Sequence, residues 1–364
     1  MRQRSTWPLV LWVFAGCPGA HLAANTPAAG SRASLLACLG APPDSIYEPG
    51  RLAAPAGPGL SVHTFDQVVS GCGTVERRYL SYVPPRLGAP SAAPVLIVLH
   101  GQGASAEAMM SFQTRGTFNR LADEKGLLII YGNALPTAYN FAGLANSGRW
   151  RTEQDGPRGI DDVGYLDRIV ADLRGRGVIA GGNDVYLIGQ SNGGGMALRA
   201  AQERPQTYAG VAAFMPYAGS SPAAPSHLEQ TRLRRVMFAY SQADPGLPPD
   251  YAAKVLAPLG LRWAGALGLD GVADVATALP DVVQEVPGPG RDVDAPAVLA
   301  TRDSKGERLD RRKGDRAFRL LVFDRAGHFW PTRHYDDPAR VLQMFGLRNQ
   351  DVEGADEVWA FFSQ

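Results

Sequence analysis

The sequence predicts an α/β fold in which a mostly parallel central sheet is covered by helices on both faces. Apolar runs of strand type at 95–99, 127–131 and 185–188 alternate with helical patterns at about 105–123 and 160–173. This order favours parallel strands, because each crossover helix lies on a face of the sheet. With 364 residues, 45% of them hydrophobic and 20% charged, the chain is long enough for one large domain with an ample core.

Further strands are predicted on both sides of this alternating region. Strands at 62–69 and 77–83 come first, and the second of them alternates in the antiparallel manner. Strands at 211–214, 236–240 and 318–323 continue the sheet, and a last helix is expected at 356–362. The helix at 160–173 has an apolar face made of Ile160, Val163, Leu166, Ile169, Val170 and Leu173.

The pattern weakens between about 258 and 316. A stretch rich in glycine and proline lies at 286–292, and a charge run lies at 303–316. We expect an excursion from the sheet here, in the form of a surface hairpin or cap, with the charge run as a solvated face.

The first 24 residues have the layout of an export signal. Arg2 and Arg4 precede an apolar run at 7–14, and small residues follow it. The apolar stretch, roughly ten residues, is too short to span a bilayer. Ala15 and Gly16 before Cys17 also resemble the end of a lipoprotein signal, in which Cys17 carries a lipid; the alternative is ordinary cleavage further on, for example after Ala24. We therefore expect a secreted or periplasmic protein, with lipid anchoring to the cell envelope as one form of it.

After the signal, residues 25–60 are rich in alanine, proline and glycine and predict a flexible tether before a folded domain at 61–364. Cys38 and Cys72 remain in the mature chain, and an oxidising compartment would let them form a disulfide. The alternative is two free thiols. A bond between them would close a loop of about 34 residues and stabilise the fold by roughly 3 to 4 kcal/mol on the chain-entropy model.

Charge and cysteine usage limit the partners that the sequence predicts. The formal net charge of +1 gives no sustained basic surface of the kind that binds nucleic acid. No histidine or cysteine cluster has the spacing of metal ligands. We expect a small or neutral substrate, no nucleic acid, no metal and no cofactor.

Residues 189–193 spell G-x-S-x-G between an apolar strand at 184–188 and a helical segment. In this arrangement a serine occupies a strained strand-to-helix turn, where only glycine fits on either side. With 42 glycines in the chain, the bare pattern has a chance count on the order of 0.3. The strand before it and the helix after it therefore carry the prediction that Ser191 is a nucleophile; the alternative is a glycine-rich turn in an ordinary α/β sheet.

A serine nucleophile of this kind needs a histidine base and an acid from strand ends further along the chain. His328 follows the strand at 318–323 and has a glycine before it, so we predict that it is the general base rather than a structural loop histidine. Asp244 follows the strand at 236–240 by one short turn and is the predicted acid that orients the imidazole. Asp250 and Asp324 are its rivals.

Acyl transfer also needs hydrogen-bond donors for the developing oxyanion. We predict the backbone N–H groups of Asn192, next after the nucleophile, and of Gln102, in the loop after the strand at 95–99. His100, in the same loop, is interpreted as a brace and not as a catalyst.

The remaining candidates each have two interpretations. Trp150 and Trp330 are predicted either to bind substrate by lining an acyl or aromatic pocket or to pack in the core. Asp161 and Asp162 stand at a predicted helix start, where carboxylates favour the helix dipole, so a structural role is preferred to metal binding.

Five motifs occur together here in the order of one known family: His100-Gly101 after an apolar strand, and the segments at 160–165, 189–194, 243–245 and 327–331. From about residue 77 to the C-terminus, the chain resembles the secreted esterase family of polyhydroxybutyrate depolymerases, feruloyl esterases and acetylxylan esterases. The resemblance implies an α/β-hydrolase fold, an ester substrate, and a triad of Ser191, Asp244 and His328.

The function expected from this resemblance is that of a secreted serine esterase similar to polyhydroxybutyrate depolymerases. The nearest alternative is a feruloyl or acetylxylan esterase. A peptidase or acyltransferase on the same fold is a rival in chemistry, since the triad does not fix the leaving group. A non-catalytic envelope protein that uses the pocket for binding is the rival of another class.

Overall fold

The computed structural model describes residues 38, 59–70, 72–85, 87, 92–136, 148–152, 159–217, 228, 231–281, 284–287, 299–302, 305–333, 337, 342 and 345–364. The predicted export signal, with Cys17, and most of the predicted tether lie outside the described residues. No helix in the described part of the chain is long and apolar enough to cross a membrane.

Ten strands form one sheet in the order β1-β2-β4-β3-β5-β6-β7-β12-β11-β8, and β9 pairs with β10 in a separate two-stranded sheet. The strands are β1 Leu60–Val69, β2 Gly73–Tyr82, β3 Val95–Leu99, β4 Leu128–Gly132, β5 Val185–Gln190, β6 Gly210–Phe214, β7 Arg235–Ser241, β8 Val275–Ala278, β9 Gln284–Pro287, β10 Leu299–Arg302, β11 Gly306–Lys313 and β12 Arg316–Phe323.

The middle of the sheet is parallel, as the sequence predicts. Six neighbouring strands run in one direction: β4, β3, β5, β6, β7 and β12. The outer strands pair antiparallel with their neighbours, β1 and β2 on one side and β11 and β8 on the other. β3 and β5 are buried along their whole length, which explains their continuous apolar sequence. Their carboxyl ends lie at one edge of the sheet, and His100 and Ser191 follow there directly.

Five helices of at least nine residues cover the sheet in the described part of the chain: α1 Thr117–Lys125, α2 Asp162–Gly175, α3 Asn192–Glu203, α4 Ala257–Ala266 and α5 Gly354–Phe362. Side chains of α2, α3 and α4, such as Leu166, Met196 and Trp263, pack in a core on one face. Phe118 of α1 and Phe361 of α5 pack in a second core on the other face. Helices therefore lie on both faces, and the predicted fold class is confirmed.

The helix predicted at about 105–123 is broken in two. A short helical turn at Ala106–Ala108 continues into a π-helical turn at Met109–Gln113, and α1 starts only after Arg115 and Gly116, whose φ angles are 53° and 70°. The carbonyls of residues 109 and 110 accept from the N–H groups of Thr114 and Gly116, and the Thr114 hydroxyl donates to the same two carbonyls at the break. The apolar period does not reveal such a break.

The segment between about 258 and 316 differs from the expected excursion. Leu259 and Trp263 of α4 are buried in the core, and β8 and β11 extend the main sheet. Among the strands of this segment that the structure describes, only the β9–β10 pair lies outside this sheet. β11 carries much of the charge run, and its Arg311 forms an ion pair with Asp274. Edge strands are half-exposed and tolerate charge, so their sequence lacks the apolar alternation of inner strands.

Cys38 and Cys72 form a disulfide, with their Cα atoms 5.6 Å apart. This confirms the bonded alternative over two free thiols. The bond ties the segment before the sheet to the turn between β1 and β2.

Candidate active site

Ser191 occupies a strained turn between β5 and α3. Its φ and ψ angles are 53° and −122°, a conformation that non-glycine residues rarely adopt. A Cβ atom at Gly189 would lie 2.1 Å from the Gly193 carbonyl oxygen, and one at Gly193 would lie 2.4 Å from the His100 carbonyl oxygen. Glycine is therefore sterically required at both positions, as the G-x-S-x-G pattern predicts.

Main-chain hydrogen bonds hold this turn from both sides. The Ser191 N–H donates to the Phe214 carbonyl over 2.8 Å, and the Ser191 carbonyl accepts from the N–H groups of Gly195 and Tyr217 over 3.0 and 2.9 Å. Strained backbone persists only where the surroundings fix it in this way. Ser191 is left partly exposed at the carboxyl edge of the sheet.

Replacing Gly193 with alanine should destabilise the protein by about 3 kcal/mol or more, because the new methyl group meets backbone oxygens that cannot move aside. The nearest are those of His100 and Leu99, at 2.4 and 2.5 Å. Gly175→Ala is the matched control, since nothing lies within 4 Å of its added Cβ. Urea unfolding of both variants measures the effect, and equal stability of the two would contradict it.

His328 and Asp244 are in direct contact. The His328 Nδ1 atom lies 2.7 Å from the Asp244 Oδ2 atom, and the two side chains are 11% and 2% exposed. The other carboxylate oxygen of Asp244 accepts from the Gly246 N–H over 2.8 Å. Because a carboxylate only accepts, Nδ1 donates the proton here and Nε2 is the basic nitrogen.

The rival acids lie elsewhere. Asp250 forms an ion pair with Lys254 over 3.0 Å, and the backbone of Asp324 bonds to Lys305. A Cβ at Gly246 would lie 2.5 Å from the His328 ring, so the loop that carries Asp244 covers the imidazole closely. The structure therefore brings Asp244, of the three candidates, to the histidine.

The backbone around His328 is fixed by buried polar groups that the sequence analysis missed. Gln190, just before Ser191, donates from its side-chain amide to the His328 carbonyl over 3.2 Å. Arg348, fully buried, binds Asp337 through two hydrogen bonds of 2.6 and 3.0 Å and donates to the Trp330 carbonyl over 2.9 Å. No periodic or motif signal marks Arg348, because its partners are distant in sequence.

Within the described residues there is no hydrogen bond between the Ser191 hydroxyl and the His328 imidazole; the Gln190 amide connects the two segments. Nucleophile–base hydrogen bonds are often looser without substrate.

The loop after β3 lies against Ser191. A Cβ at Gly101 would lie 3.3 Å from the Ser191 Cβ and 3.9 Å from its Oγ. Gln102 follows in a turn and is partly buried. Asn192, the first residue of α3, is fully buried. The two predicted oxyanion donors therefore belong to segments that flank Ser191.

His100 bonds to the backbone on both sides of its ring, as the interpretation as a brace requires. Its Nδ1 atom donates to the Gly101 carbonyl over 2.7 Å, and its Nε2 atom accepts from the Ala134 N–H over 3.1 Å. Burial lowers the pKa of His100 to about 4, and the imidazole is neutral in the folded protein.

This burial predicts a loss of stability in weak acid. The folded pKa of His100 is about 4, below the ordinary value of 6.5, so between these values the unfolded chain binds more protons. The contribution is present above pH 6.5 and is lost as the pH falls towards 4. The free energy of unfolding should fall by about 2 kcal/mol from pH 7 to pH 5 through this group.

His100→Gln offers an oxygen to the Ala134 N–H and does not titrate, so it serves as the comparison in urea unfolding at the two pH values. The wild type should lose more stability than the variant. An identical pH dependence of the free energy of unfolding in the two proteins would contradict the attribution of this loss to His100.

Trp150 and Trp330 are fully buried. The Trp150 ring packs against His100 and Tyr165, with centroids 5.1 and 5.9 Å apart. Trp330 packs against Phe118 and Phe214 at 5.3 and 4.1 Å. Both indoles thus occupy the core, the second of the two interpretations, and neither has surface exposed to a substrate.

Asp161 and Asp162 have structural contacts. The Asp161 carboxylate caps α2 by accepting from the Gly164 N–H over 2.7 Å. Asp162 forms a fully buried ion pair with Arg77 over 2.8 Å. Across the described residues, no group of three or more histidine, cysteine, aspartate or glutamate side chains is arranged to hold a metal.

A pair of tyrosines, one of them bonded through its backbone to Ser191, was not predicted. The Tyr217 N–H donates to the Ser191 carbonyl, and its ring stacks on Tyr251 with centroids 5.9 Å apart. Both rings are partly exposed. Aromatic residues in loops after strands 6 and 7 give no periodic signal, so the sequence did not single them out.

Comparison with known sequences places this architecture. The model of the Alpha/beta hydrolase family matches residues 95–344, more than half of the chain, from β3 to beyond His328. The chain belongs to this family. A curated relative, "Putative esterase NocK" from Nocardia uniformis subsp. tsuyamanensis, is 33% identical over 183 residues, which are 50% of this chain and 48% of the relative. This α/β-hydrolase therefore spans about half the length of the curated relative that it matches.

Solved structures are similar at lower identity. An acetyl xylan esterase from Aspergillus awamori is 13% identical with a TM-score of 0.47, over 79% of this chain and 99% of that one. A ferulic acid esterase from the anaerobic fungus Anaeromyces mucronatus is 18% identical with a TM-score of 0.40, over 61% of this chain and 84% of that one. At these values the likenesses do not bear on activity or substrate.

Proposed function

We propose that this α/β-hydrolase is a serine esterase that hydrolyses carboxylic esters. Ser191 is the nucleophile, His328 the general base and Asp244 the acid that orients it. The observation that carries the proposal is the 2.7 Å hydrogen bond between His328 and the buried Asp244, in a loop that Gln190 ties to the strained Ser191 turn. The curated relative bears an esterase name, which supports an ester substrate.

We propose one role for each group. The Nε2 atom of His328 takes the Ser191 proton as Oγ attacks the ester carbonyl, and Asp244 stabilises the imidazolium that forms. The carbonyl oxygen gains negative charge, and the backbone N–H groups of Asn192 and Gln102 stabilise it by donating hydrogen bonds. The imidazolium then protonates the leaving alcohol. Water, deprotonated by the same histidine, releases the acid from the acyl-enzyme and restores Ser191.

The acyl group that we propose first is a hydroxyalkanoate, as in polyhydroxybutyrate depolymerases. The five sequence motifs that the chain shares with that family support this choice. The second candidate is a feruloyl or acetylxylan esterase. The partly exposed, stacked pair of Tyr217 and Tyr251, of which Tyr217 bonds through its N–H to the Ser191 carbonyl, favours its feruloyl branch, because aromatic rings stack on planar aromatic acyl groups.

We propose that the protein works outside the cytoplasm. The Cys38–Cys72 disulfide supports this location, since such bonds persist in oxidising compartments. Mass spectrometry of the mature N-terminus distinguishes lipidation of Cys17 from cleavage after Ala24. A full-length N-terminus on exported protein would contradict both forms of processing, and protein confined to the cytoplasm would contradict the proposed location.

The test of function is hydrolysis of p-nitrophenyl acetate, butyrate and octanoate, methyl ferulate and soluble 3-hydroxybutyrate oligomers, with a p-nitroanilide as the amide counterpart. Ester turnover with little amide turnover supports the esterase, and the preferred acyl group chooses between the candidates. A folded protein that hydrolyses no ester and resists labelling by a fluorophosphonate would overturn the proposal and leave the non-catalytic binding protein.

A further inference from the structure

The side chain of Asn192 makes two hydrogen bonds to the backbone of one distant residue. Its Oδ1 atom accepts from the Trp150 N–H over 2.7 Å, and its Nδ2 atom donates to the Trp150 carbonyl over 3.1 Å. Asn192 is fully buried, and the two residues are 42 positions apart. The amide therefore satisfies both backbone groups of Trp150, as a neighbouring strand would, and fixes the start of α3 to Trp150.

The same segment also holds the loop on the other side of Ser191. The Gly103 N–H donates to the Gly148 carbonyl over 2.9 Å, and the Gly148 N–H donates to the Ala104 carbonyl over 3.2 Å. The Trp150 indole donates to the His100 carbonyl over 2.9 Å. Residues 148–150 are thus bonded at one end to the loop that carries Gln102 and at the other end to Asn192.

We propose that the Asn192 side chain is a positioning residue that sets the distance between the two oxyanion donors, the backbone N–H groups of Gln102 and Asn192, by way of residues 148–150. This inference rests on the proposed esterase function, since it concerns the same site. Asn192 thereby has two separate roles: its backbone N–H faces the oxyanion, and its side chain fixes where that N–H and its counterpart lie.

The chemistry of the amide explains why asparagine suits this position. Trp150 offers one donor and one acceptor, and an amide of this length answers both at once. Alanine would leave both buried backbone groups unpaired, and aspartate would place an oxygen against the Trp150 carbonyl. Both variants keep the backbone N–H of residue 192. In a folded variant, the proposal attributes the effect on catalysis to a displaced donor and not to a missing one, and a displacement of about 1 Å can cost about 10²-fold in rate.

The experiment compares Asn192→Ala with Asn183→Ala. Asn183 is also a buried amide with two backbone partners, accepting from the Ala180 N–H over 3.0 Å and donating to the Ala93 carbonyl over 2.7 Å, but it precedes β5 at the end of the strand away from Ser191. Both variants should lose stability. Only Asn192→Ala should lower kcat for p-nitrophenyl butyrate, by about 10- to 100-fold, with KM within about threefold of wild type.

Two further readouts separate a positioning role from a merely structural one. The affinity for a boronic acid, which forms a tetrahedral adduct with an active serine, should fall in proportion to kcat/KM, because the adduct uses the oxyanion donors. The pH at which kcat/KM reaches half its maximum should not change, because His328 and Asp244 are untouched.

The outcomes for the inference and for the proposed function differ. A wild-type protein without esterase activity overturns the function. An active wild type whose Asn192→Ala variant keeps kcat within about twofold of Asn183→Ala overturns the positioning role. If Asn192→Ala does not fold, Asn192→Asp takes its place, because it keeps the volume and the oxygen that accepts from Trp150. The wild-type activity and the kcat of this variant relative to Asn183→Ala then decide in the same way.

Discussion

Replacing Ser191 with alanine is expected to lower kcat for ester hydrolysis by about 10⁶-fold, because the proposed triad would act as a unit and lose its function with any essential member. The variant removes one oxygen atom and keeps the strained backbone, whose φ is 53°. KM should change little, since the groups that bind the ester remain. Progress curves with p-nitrophenyl butyrate at high enzyme concentration measure the residual rate.

Stability and labelling provide the controls for this variant. Its thermal unfolding should match the wild type closely, because the hydrogen bonds that Ser191 makes within the described residues come from its backbone and not from its hydroxyl. A fluorophosphonate should label the wild type and leave the variant unlabelled. A well-folded variant that retains about a tenth of the wild-type kcat would exclude Ser191 as the nucleophile.

The sequence predicted this part of the site because its determinants are local. A serine between two glycines, after an apolar strand and before a helix, specifies a turn whose steric reason is visible in the structure, where a Cβ at Gly189 would lie 2.1 Å from a carbonyl oxygen. The contact between His328 and Asp244 was predictable because each follows a strand, and the carboxyl ends of parallel strands lie at one edge of a sheet.

What the sequence did not predict depends on contacts between distant segments. Asn192 and Trp150 are 42 residues apart, and Arg348 reaches the Gln113 carbonyl over 235 residues of chain. No period or local motif records such pairs. The burial of Trp150 is of the same kind: its ring is apolar enough for a pocket or a core, and only the packing of His100 and Tyr165 around it decides between them.

The edge strands show a different limit. β8 is exposed along its length, and β11 alternates little between buried and exposed positions. Binary patterns predict strands that bury one face or both, so neither the exposed edge strand β8 nor the charged strand β11 beside it has a sequence pattern typical of a strand. The parallel centre that positions the site was predictable for the opposite reason, since burial on both faces forces an apolar sequence on β3 and β5.

Replacing Asp244 with asparagine is expected to lower kcat by about 10⁴-fold with little loss of stability. The wild-type carboxylate accepts the Nδ1 proton of His328 over 2.7 Å and leaves Nε2 basic. An amide can donate to Nδ1 in its place, which moves the imidazole proton to Nε2 and removes the base that Ser191 needs. Steady-state kinetics with p-nitrophenyl butyrate measures the loss.

Asp250→Asn and Asp324→Asn are matched controls, because the same chemical change is made at the two acids that compete with Asp244 on sequence grounds. Asp250 pairs with Lys254 on an exposed turn, so its loss should change kcat by less than about twofold, as befits a surface ion pair. If Asp324→Asn lowered kcat as much as Asp244→Asn, the acid would be misassigned. A full loss in the Asp244 variant alone would mean that the 2.7 Å contact sets the tautomer on which attack by Ser191 depends.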